Sequence, residues 1–111
     1  MSEVKPVSSR DELARQLSAA RASYATARLA MQNLADQIPL PGHPDFESTR
    51  SHVRRKYAAW LGVPVIVYDQ ALKAWHDHPG LTWSERITAA HERLDLTTGL
   101  AALHRRLGLR V

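Results

Sequence analysis

From Ser9 to Ile38, apolar residues recur at alternating steps of four and three: Leu13, Leu17, Ala20, Tyr24, Ala27, Met31, Leu34 and Ile38. That spacing keeps one continuous apolar stripe along a helix. Ser9 and Glu12 stand three apart, as in a capping box, and Asp11 adds negative charge at the positive end of the dipole. The alanines between the seam positions favour helix intrinsically. Pro39, Pro41, Gly42 and Pro44 then stop it. A long amphipathic helix over about 9–37 follows.

The same reading divides the remainder of the chain into shorter helices. Asp45 and Glu47 open a second, about 45–61, whose apolar side is Phe46, Val53, Tyr57, Trp60 and Leu61, with Gly62 at its end. Residues 63–68 are rich in β-branched side chains and look strand-like locally. No second strand exists to pair with them, however, and Leu61, Val65, Tyr68, Leu72 and Trp75 keep four-three steps. A helix over about 64–77 is the consistent choice, with Pro64 in its first turn and Pro79 and Gly80 after its end. Thr82 and Glu85 repeat the capping-box spacing and open a helix at 83–94 with a seam of Trp83, Ile87, Ala90 and Leu94. A last helix, 98–107, aligns Leu96, Leu100, Leu103 and Leu107 and stops at Gly108. The expected fold is all-α: a four- or five-helix elongated bundle built on the long first helix, behind a flexible N-terminal arm at 1–8.

Length turns the first helix into a question about partners. Some 29 residues at about 1.5 Å each span roughly 43 Å, whereas a compact chain of this size is only about 34 Å across. The helix overshoots a spherical monomer, so either later helices run along the seam of an elongated monomer or part of it meets a second copy; the second is expected, with Leu13, Leu17, Tyr24, Met31 and Leu34 as interface residues. Arg21 and Arg28 flank that seam, and no acid occurs between Glu12 and Asp36. Whatever meets this edge is expected to be negative or neutral.

Composition narrows the function classes. With 111 residues, 44% hydrophobic and 23% charged, the chain has the make-up of one folded domain. Its formal charge of +4 inclines it mildly towards anionic partners. The absence of cysteine removes disulfides, thiolate catalysis and Cys-based zinc sites. Met1 to Ser8 holds no apolar leader segment, and no stretch is apolar enough for a membrane span. A cytoplasmic protein without a membrane role is expected.

Candidate chemistry is sparse. Arg50, Arg54, Arg55 and Lys56 form the densest basic run, and with Arg21 and Arg28 they are the candidate contacts to nucleic acid or another anion. Residues 84–107 admit a helix-turn-helix with its turn at 95–97, although Gly99 falls inside the recognition helix and Arg105 and Arg106 come only at its end. His52, His76, Asp77 and Asp95 mimic the ligand order of HD-type metal phosphohydrolases, a small resemblance that leaves little of the chain for a substrate cleft. No serine sits in a nucleophile elbow or a glycine-rich phosphate cradle. The function expected is therefore non-enzymatic, with no cofactor, catalytic residue or metal: a helical protein-interaction or adaptor module that self-associates through its first helix, with nucleic-acid binding through the basic second helix as the alternative.

Overall fold

The structure, a computed structural model, describes residues 9–109. It contains α1 (Arg10–Ala35), α2 (Phe46–Tyr57), a π-helical turn (Ala58–Gly62), α3 (Val63–His76) and α4 (Trp83–Leu107), and no strand among the described residues. The flexible arm expected at 1–8 lies outside the described residues. Residues 63–68 are helical, as the seam spacing predicts.

Four or five separate helices are not what forms. The described residues make three continuous helical rods, because two expected breaks are bridged. At the first, α2 runs through the π turn directly into α3. Proline within a helix removes one backbone donor and crowds the carbonyl four residues back, and for Pro64 that is the carbonyl of Trp60. A wider π turn ending at Gly62 accommodates this without breaking the rod. At the second, α4 passes uninterrupted through residues 95–97, so there is no helix-turn-helix. Thr97 and Thr98 do not cap a new helix there. Their hydroxyls donate back to the carbonyls of Arg93 (3.3 Å) and Leu94 (2.9 Å), which satisfies the side chains inside a continuing helix.

The caps are close to those expected. Ser9 Oγ accepts from the Glu12 N–H at 3.1 Å, and Thr82 and Glu85 complete a reciprocal capping box. Gly108 ends α4 in the left-handed region at φ +71°. Its lack of a Cβ matters twice, since one would also meet the guanidinium groups of Arg54 at 3.0 Å and Arg50 at 3.1 Å.

The rods pack up, down and up. As α1 partners run Arg10, Arg21, Arg28 and Asp36, their α4 partners run Glu85, Glu92, Gly99 and Arg106, so α1 and α4 are parallel. As α4 partners rise through Arg86, Arg93, His104 and Arg54's acceptor Leu107, the opposite residues fall through His76, Asp69, Tyr57 and Arg54. The α2–α3 rod is thus antiparallel to both. The core threads between them and includes Leu17, Met31, Val53, Leu61, Tyr68, Leu72, Leu96, Leu100, Leu103 and Leu107. The result measures 64 × 33 × 21 Å, with a radius of gyration of 17.7 Å.

One expected seam is inverted. Trp83, Ile87 and Leu94 are exposed, as is Ala90, while α4 packs inward with Ala89, Leu96, Leu100, Leu103 and Leu107. Trp60 is also exposed and Trp75 only half-buried, so core packing does not account for all three tryptophans.

Burial makes a direct prediction about α1. Met31→Ala removes a wholly buried side chain and is expected to cost about 2–5 kcal/mol of unfolding free energy. Leu29→Ala, two residues away but 62% exposed, is expected to change it by under about 0.5 kcal/mol. Urea denaturation of the two variants measures the contrast.

Candidate interaction surface

The expected interface residues of α1 are largely used inside the chain. Leu13, Leu17 and Met31 are buried, and Tyr24 and Leu34 are half-buried against the same core. The α2–α3 rod and α4 supply their cover, so the length of α1 is met by an elongated monomer whose other rods are comparably long.

The basic candidates are similarly engaged. Arg21 donates through Nε and Nη2 to Glu92 at 2.5 and 2.9 Å. Glu92 also accepts from the Tyr68 hydroxyl at 2.5 Å, so one carboxylate ties α1, α3 and α4 together. Arg21 holds the Glu92 carboxyl below the ordinary carboxylate value, and burial together with Glu92 pushes the Tyr68 hydroxyl up to about 12. Arg28 donates to the Gly99 carbonyl at 2.6 Å and to the Tyr24 hydroxyl at 2.9 Å. A Cβ on Gly99 would stand 3.1 Å from that guanidinium, which accounts for glycine inside α4. Arg21 and Arg28 thus find a negative and a neutral neighbour within the chain itself.

In α2, Arg54 Nε donates to the Leu107 carbonyl at 2.9 Å and so serves the negative end of α4. Arg50 pairs with Glu47 at 2.9 Å and lies 4.9 Å from the centre of the Phe46 ring. Arg55 and Lys56 alone among the six have no side-chain hydrogen bond or ion pair within the described residues. The histidines do not converge: no three His, Asp or Glu side chains among the described residues group as a metal site would require. His76 contacts its neighbour Asp77, whereas His52 is exposed on α2.

What the seam analysis did not identify is an exposed apolar face on the opposite side. Val63, Ile66 and Val67 form a ridge on α3, Ile66 being 57% exposed. A groove on each flank separates that ridge from its neighbours. The one towards α4 has a volume of about 690 Å³ and is lined by Ile66, Leu96 and Leu100, among others. The one towards α1 is about 540 Å³, with Val67, Ala71 and Ala74 along its α3 wall. Beyond the first groove lies the outward α4 stripe of Trp83, Ile87, Ala90 and Leu94, of which Leu94 is 61% exposed. Arg93 lines both this groove and the smaller hollow beside Ala90 and Leu94, and it bridges to Asp69 at 2.7 Å. Arg93 thus connects the Ile66 end of the ridge with the Ala90 and Leu94 end of the stripe, and its exposed pair with Asp69 lies between them. The signal for the outward α4 stripe was present in sequence: a single helix whose two apolar seams, ending at Leu94 and resuming at Leu96, are out of phase must be apolar on two sides.

Among the described residues no helix is long and apolar enough to cross a membrane. Burial and the nearby Arg28 lower the pKa of His104 from the ordinary 6.5, and its Nε2 lies 2.6 Å from the Tyr57 hydroxyl. Acid should therefore lower the stability over two successive pH ranges. Below pH 6.5 the unfolded chain takes up a proton that folded His104 resists, and stability falls. Below 4.5 the unfolded Glu92 protonates before the folded one, and the contribution of its depressed pKa, complete above 4.5, is lost as pH falls through the folded value. Urea unfolding across this range should show His104→Gln flattening the upper slope and Glu92→Gln the lower. Comparison with protein-family models, curated proteins and solved structures finds no match to this chain, so geometry carries the functional reading.

Proposed function

We propose that this chain is a non-enzymatic helical interaction module that self-associates through the face formed by α3 and α4. The observation that carries the reading is the pair of exposed apolar rows, Val63–Ile66–Val67 and Trp83–Ile87–Leu94, on a protein whose α1 seam is already covered. Contiguous exposed apolar surface of this kind marks docking sites in soluble proteins.

A second copy fits this face better than an unlike partner for two reasons. A ridge flanked by grooves is complementary to itself, because helix packing seats the ridge of one surface in the groove of another. An acid and a base, Asp69 and Arg93, pair across the face, both partly exposed. About a two-fold axis each can exchange partners with the other copy. Nucleic-acid binding through α2 has weaker support, since four of the six basic candidates already serve contacts within the chain.

Sedimentation over a range of concentrations tests the proposal. The unmodified protein should show a concentration-dependent dimer, and Ile66→Lys combined with Leu94→Lys should leave a folded monomer. Asp69→Arg places two like charges on the face and should weaken association; adding Arg93→Asp to it should restore association, because the exchange then runs with signs reversed. A monomer at every concentration would sink the reading, as would association indifferent to the double lysine variant.

A further inference from the structure

A second surface, at the pole of the bundle where α1 ends and α4 terminates, has a different character. The segment after α1, the start of α2 and the last turn of α4 enclose a cleft of about 480 Å³, lined by the apolar Ile38, Leu40 and Phe46 and by the basic Arg50, Arg105 and Arg106. We propose that this cleft binds an acidic segment of a partner protein that carries an apolar anchor.

Positive charge lines this cleft: Arg50, Arg105 and Arg106 are among its lining residues and no acid is. Arg105 is exposed and has no side-chain partner among the described residues. Arg106 and Arg50 are paired only to Asp36 and Glu47, themselves 56% and 69% exposed, so water already competes for those pairs and an incoming carboxylate can replace them. Arg50 further has a buried Nε without a partner, while its guanidinium lies over Phe46. Guanidinium groups recognise carboxylates through paired hydrogen bonds, which suits aspartate and glutamate side chains.

The apolar lining decides between classes of anion. Leu40 is 82% exposed and stands between Pro39 and Pro41, whose rings fix their own φ and stiffen its presentation. A nucleic-acid backbone would satisfy the arginines and leave Leu40 and Phe46 facing water. An acidic segment with a leucine, isoleucine or phenylalanine beside its carboxylates satisfies both sets of residues, and stiffness in Leu40 lowers the entropy lost on binding. The cleft shares no lining residue with the α3/α4 groove, so this inference is independent of self-association.

A displayed library of random short peptides, selected on the intact protein, supplies the probe. Enriched peptides should combine acidic residues with an adjacent apolar side chain. The tightest, fluorescently labelled, should lose affinity by about tenfold or more on Arg105→Glu and again on Leu40→Ser. Lys73→Glu, on the exposed C-terminal part of α3, changes the net charge equally and should leave affinity intact. Thermal melts of each variant confirm that it is folded, and Leu40→Ser remains informative if the charge reversal is not. Enrichment of peptides without acids would overturn the inference. So would affinity indifferent to both cleft variants, an equal loss with Lys73→Glu, or tighter binding of a polythymidine strand or of anionic vesicles than of the selected peptide.

Discussion

A helix with an apolar stripe along its whole length must be covered along its whole length, and in this protein that requirement falls on α1. A short neighbour would leave one end of the stripe in water, at about 25 cal/mol for each Å² exposed. The chain meets the requirement by making its other elements long as well. The π turn at Ala58–Gly62 carries α2 into α3 past Pro64, and α4 continues through Thr97 and Thr98. Pairing rods of similar length side by side makes the molecule elongated, with a long axis of 64 Å.

Apolar stripes alone leave helices free to slide, and polar ties at intervals remove that freedom. Arg10, Arg21, Arg28 and Asp36 each reach α4 in step with it, and Arg86, Arg93 and His104 reach the middle rod in reverse step. Exposed ion pairs contribute little to stability individually. Their regular spacing along the bundle still penalises a one-turn slip at several places together. The Glu92 carboxylate is the most connected point, since it takes hydrogen bonds from Arg21 and Tyr68 on two different rods.

Much of the fold was legible in the sequence, and the errors have physical causes. The all-α class, the span of α1 and the capping box at Thr82 all follow from spacing and side-chain chemistry. Gly62 and Pro64 read as a break because such residues usually end helices, yet a change of hydrogen-bond pattern over one turn absorbs them. Asp95 to Thr97 read as a turn because the apolar phase changes there. The helix itself continues, and the phase change marks a shift from an outward seam to an inward one. The surface was less legible: arginines that look available in sequence can be recruited by helix ends and by carboxylates distant in the chain, as Arg54 is by Leu107 and Arg21 by Glu92. Spacing identifies what lies on one side of a helix. It does not identify which side another helix will occupy.

An odd number of rods delivers the chain to the pole opposite the one where it entered. Ser9 begins near the end that holds Gly80 and Glu85, whereas Leu109 lies at the end that holds Arg50 and Arg54. The molecule is consequently polar in the sense that an arrow is, with unlike tips. Two arrows joined flank to flank by a perpendicular two-fold axis point in opposite directions, so any feature confined to one tip would be displayed twice, outward, at the far ends of the pair. Such an object is a spacer that holds two identical ends apart at a distance set by helix length, and a ligand bearing two copies of a matching segment would be gripped only if its own linker could span that distance.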